Sequence, residues 1–250
     1  MRALAWAVGL TLASSLGGVL IASILFFSTD RLRLKIVPWL VSYAVGTLLG
    51  VALLVLLPEA LVHLSARTVL GSVLGGIMLF FLLEKLVLWR HCHTHDCDVH
   101  GMAAPMVIIG DAFHNFLDGV VIGTAVRTSI PLGVSTALAV ATHEIPQEIG
   151  DFAILLSAGY SKRKALLLNM VSGGAAVLGA VLAVFALDWL PQINQYVLSV
   201  AAAGFLYVAM ADLIPDLHRG RIDSTTFRQL GLAVAGIGTV VGLNAFVGGH

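Results

Sequence analysis

Hydrophobic residues make up 58% of this 250-residue chain, whereas charged residues make up only 11% and the formal net charge is zero. An ordinary soluble domain has about one quarter charged residues. The composition therefore excludes an ordinary soluble domain and indicates an integral membrane protein.

Apolar runs of about 18 residues or more predict helices that cross a bilayer. Eight such runs occur, so the predicted fold class is an all-α membrane protein, an eight-transmembrane-helix bundle. The first run is longer than the apolar core of a typical signal peptide, and we expect it to be a retained helix. Because the loops are short, we expect residues 1–250 to form one transmembrane domain. The predicted spans are 4–27, 36–57, 68–89, 103–126, 130–156, 165–187, 197–214 and 230–247.

The distribution of basic residues predicts the orientation of the bundle. Eleven of the fourteen Lys and Arg residues lie in one set of alternate connections, and the other set holds Arg2, Arg67 and Arg127. Basic residues concentrate on the cytoplasmic side of membrane proteins. We therefore expect both termini to lie outside.

The connection at 90–101, on the predicted cytoplasmic side, is rich in metal-binding residue types. Both cysteines of the chain lie here, and a reducing compartment argues against a disulfide between them. The composition is typical of binding to a soft divalent metal, although the spacing fits no zinc finger. We interpret the segment as a metal-collecting or metal-sensing loop, with a merely solvated linker as the alternative. Its candidate ligands are His91, Cys92, His93, His95, Cys97 and His100.

Polar residues interrupt the fourth apolar run. A charged group at bilayer depth costs about 2.5 to 3.5 kcal/mol on insertion scales, so a run that keeps one indicates a functional site. His114 and Asp118 are four residues apart and share a helix face, with Asn115 beside them. This run therefore offers an imidazole, a carboxylate and an amide oxygen.

The fifth apolar run carries a second polar cluster. His143 pairs with Gln147 at four-residue spacing, and Glu144 pairs with Glu148. Imidazole combined with carboxylate suits zinc and other divalent first-row metals. Pro146 removes one backbone donor and is able to bend the helix at this point. The two runs together predict a metal cage, with polar pairing between helices as the alternative.

Two further acids flank these clusters. Asp111 lies one turn before His114, and Asp151 lies one turn beyond Glu148. We expect Asp111, Glu148 and Asp151 to lie along the metal path or around the ligands. Helix capping is the alternative for Asp111 and Asp151.

A short similarity between two segments of the chain favours an inverted repeat. The second run ends in Leu-Leu-Pro-Glu at 56–59, and the seventh ends in Leu-Ile-Pro-Asp at 213–216. Similar endings on opposite sides of the membrane are what two inverted three-helix repeats produce. A 3+2+3 arrangement follows, with chance similarity as the alternative.

The paired motifs resemble those of the ZIP family of zinc and iron transporters. That family carries HNFxDG in its fourth helix and HExPHExGD in its fifth. Here residues 114–119 read HNFLDG, and residues 143–151 read HEIPQEIGD. The resemblance covers essentially the whole chain.

The resemblance implies a non-enzymatic importer that moves divalent metal toward the cytoplasm by elevator-like alternating access. It also implies a homodimer in the lipid bilayer. Zinc is the implied transported substrate, with cadmium, iron and manganese as further cargo, and no organic cofactor or nucleic acid is implied. Position by position, the implied ligands are His114, Asn115, Asp118, His143 and Glu144. Gln147 stands where the family motif has a second histidine, and we count its weak amide oxygen among the candidate metal ligands.

A second departure concerns the sixth apolar run. Residues 172–176 lack the carboxylate that some bacterial relatives supply there, which leaves open whether the centre holds one metal ion or two. The short loops favour a bacterial inner membrane.

Two rival functions remain open from the sequence. The run from His143 to Gln147 is one residue away from the HExxH signature of zinc proteases, which suggests an intramembrane metalloprotease or lipid hydrolase. The other rival is a metal sensor that binds but does not transport.

Overall fold

A computed structural model describes residues 2–89, 99–217 and 224–248. Every regular element within these ranges is a helix, which confirms the all-α prediction for this part of the chain. The α-helices are α1 (Arg2–Phe26), α2 (Asp30–Val51), α3 (Leu57–His63), α4 (Ala66–Trp89), α5 (Val99–Thr128), α6 (Ile130–Ser157), α7 (Lys162–Gly173), α8 (Ala175–Trp189), α9 (Asn194–Tyr207), α10 (Ile214–Leu217) and α11 (Ser224–Gly248).

Within the described ranges, seven helical stretches are long and apolar enough to cross a membrane, as expected of a multi-pass integral membrane protein. One stretch, Asp30–His63, continues beyond the predicted end at residue 57, and α7 and α8 form another, Lys162–Trp189. The 28-residue α6 is not among the seven. Its polar cluster from residue 143 to residue 151 lowers its hydropathy, so the predicted eighth span stays a prediction.

The helices pack in two groups. The first group contains α1, α5, α6, α7 and α8, in which α5 packs along α6 and α8 while α1 packs along α6. The second group contains α2, α3, α4, α9 and α11, in which α2 packs along α11 and α4 along α9. The groups meet mainly where α6 lies against α2 and α11.

Glycines allow very close helix packing inside each group. A Cβ at Gly119 would collide with the carbonyl oxygen of Ala176 on α8, and one at Gly46 would collide with that of Ala233 on α11. Among the described residues, every glycine whose Cβ would meet another helix meets a helix of its own group. Each group is therefore packed more tightly within itself than against the other.

The two similar proline-containing segments at 56–59 and 213–216 have the same local structure. Short π-helices at Ala52–Leu56 and Val208–Leu213 each end two residues before a proline, Pro58 or Pro215. Proline has no N–H, so the carbonyl four residues earlier loses its α-helical donor. Both helices accommodate this loss by a local π-turn.

Substituting Gly119 by alanine tests the close contact between α5 and α8. We expect Gly119→Ala to lower the unfolding midpoint in detergent, because overpacking costs about 1–3 kcal/mol and exceeds the helix-propensity gain of about 1 kcal/mol. Gly71→Ala is the matched control, since a Cβ at Gly71 meets nothing within 4 Å. Equal midpoints for the two variants would contradict the described packing.

Candidate metal centre

Four of the predicted ligands converge between α5 and α6. His114 and Asp118 lie one turn apart on α5, and His143 and Glu144 are adjacent on α6. One ligand atom from each residue lies within 4.8 Å of the ligand atoms of the other three. The two ligands that are four residues apart on α5 therefore face two adjacent ligands on α6.

The distances between these atoms indicate a shared centre. His114 Nε2 lies 3.2 Å from His143 Nε2 and 3.5 Å from Glu144 Oε1. His143 Nε2 lies 3.2 Å from Asp118 Oδ2. Separations of this size are typical of ligands around one ion, because metal–ligand bonds of about 2.0–2.2 Å place neighbouring donor atoms about 3–4 Å apart.

The ring of His143 is held with one nitrogen toward this centre. Its Nδ1 lies 2.9 Å from the carbonyl oxygen of Ala139, which only accepts hydrogen bonds, so Nδ1 carries the proton. Nε2 then keeps its lone pair for a metal. A second hydrogen bond of this kind commonly orients metal-binding histidines.

The carboxylates at the centre lack hydrogen-bond donors. Among the described residues, Asp118 Oδ2 and both carboxylate oxygens of Glu144 are buried without a hydrogen-bond partner. A buried charge without compensation is costly. A divalent cation at the centre would supply the missing interaction.

Asn115 and Gln147 lie outside this four-residue centre. The Ser15 hydroxyl of α1 donates to Asn115 Oδ1 at 2.9 Å, and Asn115 Nδ2 donates to Asp111 Oδ1 at 2.9 Å. Gln147 Nε2 reaches the same Asp111 oxygen at 3.5 Å. The side-chain amides of Asn115 and Gln147 therefore both contact Asp111 and do not face the centre.

The three remaining predicted acids lie outside the four-residue centre. Asp111 and Glu148 are buried, and Asp151 is half-buried. Asp111 interacts electrostatically with both Glu144 and His114. None of the three acids belongs to the group of four residues whose ligand atoms converge.

A cavity of about 290 Å³ reaches the centre from one side. It is bounded by α4, α5 and the second π-helix, and His114 forms part of its wall. The wall also includes Glu84 and Tyr207, which are hydrogen-bonded to each other, and Asp212. His114 is 24% exposed, whereas His143 is 1% exposed, so the cavity meets the centre at His114.

Sequence reasoning missed two contacts of the site. Ser15 contacts both Asn115 and the carbonyl oxygen of Gly173, and the ring of Phe205 lies 6.1 Å from that of His143. A serine pair inside the first apolar run was the available signal for Ser15. No spacing pattern links either residue to the centre.

The predicted ligands of the 90–101 connection are not placed by the structure. His91, Cys92, His93, His95 and Cys97 lie outside the described residues. The backbone of His100 belongs to α5, but its side chain is outside the described part. This metal-binding hypothesis stays a prediction.

Comparison with known proteins gives the family. A family model described as ZIP Zinc transporter matches residues 89–244. The chain is also 30% identical over 223 residues to zinc transporter ZIP13 of Pongo abelii, which covers 83% of this chain and 67% of that protein. This chain belongs to the ZIP zinc transporter family. The recognition made from the two motifs is confirmed.

Longer ZIP relatives match about half of this chain. Human zinc transporter ZIP10 is 39% identical over 136 residues, 53% of this chain and 16% of that protein. Human zinc transporter ZIP4 is 45% identical over 116 residues, 46% of this chain and 18% of that protein. The chain therefore spans less than a fifth of these relatives. The relatives named here are animal proteins, which do not support the predicted bacterial origin.

Replacing Gln147 by histidine tests the departure from the ZIP motif. Gln147 is four residues from His143 on the same face of α6. The wild-type amide faces Asp111, but an imidazole on the His143 face of α6 is able to turn toward the centre as an added zinc ligand. We therefore expect Gln147→His to lower the Kd for zinc about tenfold, or about 1.4 kcal/mol. Gln147→Ala is the control, and calorimetric titration is the measurement. Unchanged zinc affinity in Gln147→His would contradict this view.

Proposed function

We propose that this chain is a transporter that carries zinc across a membrane toward the cytoplasm. One observation supports this most: imidazole and carboxylate atoms of His114, Asp118, His143 and Glu144 converge at one point within a ZIP-family chain. We assign these four residues as the metal ligands. Asn115 and Gln147, also predicted as ligands, are assigned to positioning Asp111.

The donor set favours zinc as the cargo. Two imidazoles and two carboxylates match the nitrogen and oxygen ligands that zinc accepts in a tetrahedral arrangement. Cadmium, iron and manganese accept the same types of ligand, and we propose them as further cargo. The proposal requires no organic cofactor.

The cavity supplies access to the centre. Glu84 in its wall is followed by Lys85, which belongs to the basic set that we place on the cytoplasmic side. The cavity would then join His114 to the cytoplasm in this conformation. Metal arriving from the outside would be held by the buried ligands and released past His114.

The two helix groups favour alternating access by rigid-body movement. The centre lies wholly in the first group, whose helices are locked together by glycine contacts such as that of Gly119 with Ala176. Contacts between the groups include hydrogen bonds of Thr47 with Thr142 and of Asn194 with Thr128. A small number of such bonds costs only about 1 kcal/mol each to exchange. The first group would carry the metal past the second.

The wider architecture belongs to the same proposal. We expect eight spans with both termini outside, a 3+2+3 inverted repeat, a homodimer, and one transporter domain over residues 1–250 with a metal-collecting loop at 90–101. The matching π-helices before Pro58 and Pro215 support the repeat. A bacterial inner membrane stays a prediction from the short loops alone.

The geometry does not favour the rival hydrolase. A catalytic zinc usually has three protein ligands and keeps one position for water. Here four protein ligands surround the centre, and Gln147 of the incomplete HExxH signature turns toward Asp111. The relatives are named as zinc transporters, which also favours transport over hydrolysis or sensing alone.

Neutralising Asp118 tests the transport function. We expect Asp118→Asn to reduce zinc uptake into proteoliposomes at least about tenfold, because a charged ligand becomes a weak neutral one. Asp30→Asn is the matched control, since Asp30 is 82% exposed and pairs only with Arg33 in the described contacts. Equal uptake by Asp118→Asn and the wild type would contradict the assignment of the site.

Uptake should also depend on pH. A protonated imidazole cannot bind metal, so zinc uptake should fall as the pH is lowered from about 7.5 to 5.5. Initial rates measured with the same pH on both sides of the vesicle membrane test this dependence without a proton gradient. A flat profile would argue against binding by His114 and His143.

A further inference from the structure

Two basic side chains lie against one tryptophan ring near the start of α2 and α11. Lys35 Nζ lies 5.3 Å from the centre of the Trp39 ring, and Arg228 Cζ lies 5.2 Å from it. Lys35 and Trp39 are one turn apart on α2, whereas Arg228 reaches the ring from α11. Two positive charges from different helices therefore share a single aromatic ring, and we call them the Lys35–Arg228 pair.

Close packing of α2 against α11 holds this pair together. A Cβ at Gly46 would collide with the carbonyl oxygen of Ala233, and one at Gly50 would lie 3.4 Å from the Cα of Ile237. The residue numbers rise together along the two helices in these contacts, so α2 and α11 run parallel and begin at the same end of the bundle. The two cations are thus fixed by helices of the second group, and the metal centre lies on other helices.

Neither cation of the pair has an acidic partner among the described ion pairs. The described ion pair at the start of α2 joins Asp30 to Arg33 instead. Two like charges near one another repel, and an anion between them relieves the repulsion. Both Lys35 and Arg228 are exposed, so an anion from outside the chain is able to reach them.

Apolar side chains beside the pair favour a lipid over a soluble anion. Leu34 precedes Lys35 and is 74% exposed, and Phe227 precedes Arg228 and is 72% exposed. Both helices belong to stretches that are long and apolar enough to cross a membrane. Tryptophan and long basic side chains concentrate where the hydrocarbon of a bilayer meets the headgroups. The surface therefore offers positive charge at headgroup level next to side chains that suit acyl chains.

Further basic residues lie at the same end of the bundle. Arg33 Cζ lies 5.0 Å from the centre of the Phe26 ring, and Lys162 Nζ lies 5.0 Å from that of Phe27, at the turn between α1 and α2. In the predicted orientation this end faces the cytoplasm, and the cytoplasmic leaflet contains anionic lipids. The charge of this end attracts such lipids in general, and the Lys35–Arg228 pair offers them one defined place.

We propose that Lys35, Trp39 and Arg228 form a binding site for the phosphate group of an anionic phospholipid. The Arg228 guanidinium and the Lys35 ammonium would bind the phosphate oxygens. Leu34 and Phe227 would contact the acyl chains. A lipid bound here would fix the second helix group at one depth in the bilayer. The site is independent of the proposed transport function, because none of its residues lies at the metal centre.

Quenching of Trp39 fluorescence by brominated lipid tests the site. Phenylalanine replaces the other three tryptophans of the full chain, so that Trp39 alone emits. The chain is reconstituted in dioleoylphosphatidylcholine vesicles that contain phosphatidylglycerol or phosphatidylcholine brominated near the headgroup. We expect brominated phosphatidylglycerol to reach half-maximal quenching at a mole fraction about tenfold lower, because each basic residue near the surface attracts anionic lipid.

Two double variants separate a defined site from general surface charge. Lys35→Gln combined with Arg228→Gln should reduce the preference for phosphatidylglycerol to within about twofold. Lys162→Gln combined with Lys164→Gln is the matched control, since both of its lysines are exposed and lie over aromatic rings at the same end of the bundle. The control should keep the preference. Equal loss in both double variants, or no preference in the parent chain, overturns the site.

Inorganic phosphate distinguishes a lipid from a soluble anion. Sodium phosphate on both sides of the membrane should leave the quenching as it is in sodium chloride of the same ionic strength, because phosphate has no acyl chains. Displacement of the brominated lipid by phosphate overturns a lipid as the occupant. The thermal unfolding midpoint in detergent verifies the folding of each variant. Arg228→Gln alone replaces the double variant if the double variant does not fold.

Discussion

The structure depends on carboxylates that are buried between α5 and α6 and that have no Lys or Arg partner among the described ion pairs. Glu144 and Glu148 are both fully buried, and their oxygens lack hydrogen-bond donors among the described residues. Taking a charge out of water costs several kcal/mol even after relaxation. The arrangement is tolerable when a mobile cation supplies the compensation. A protein that carries cations needs such sites, because a permanent Lys or Arg partner would occupy the place of the cargo.

Tight packing around the site keeps the ligands in register. Close approach of α5 to α8 depends on Gly119 and Gly179, and α1 contributes Ser15 behind Asn115. A metal centre requires its donor atoms to be held within a few tenths of an ångström, and rigid helices achieve this better than loops do. In the proposed mechanism, the same packing would let the first helix group move as a unit without disturbing the centre. Rigidity within a group and weaker contact between groups are thus two consequences of where the glycines lie.

Most of the candidate site follows from the sequence because helical spacing is a local property. The four-residue interval from His114 to Asp118 predicts a shared face, and the structure brings that face against His143 and Glu144. The contacts of Asn115 and Gln147 with Asp111 did not follow from the sequence. Their amides turn toward Asp111 because of contacts with α1 and between helices, and no local spacing encodes such contacts.

In the fold too, local features such as the helical spans were predictable from the sequence, whereas contacts between distant segments were not. Apolar runs predicted the spans well, yet the second run continues past Pro58 to the end of α3 because a π-turn absorbs the missing donor. The grouping of helices was not predictable from hydropathy, which says that a face is apolar but not which helix covers it. Four pairs of glycines lie four residues apart in the sequence, a spacing that allows close helix packing: Gly46/Gly50, Gly71/Gly75, Gly119/Gly123 and Gly238/Gly242. Only Gly46/Gly50 and Gly119/Gly123 face another helix closely, whereas Cβ atoms at the other two pairs would meet nothing.

X-ray absorption of zinc bound to the purified full chain tests the central claim most directly. A variant with Ala at each Cys and His of the 90–101 connection removes competing ligands from that segment. The account predicts one tightly bound zinc with two imidazole nitrogens and two carboxylate oxygens at about 2.0–2.2 Å. A zinc spectrum without imidazole scattering, or one unchanged when His114 and His143 are both replaced by alanine, would contradict it.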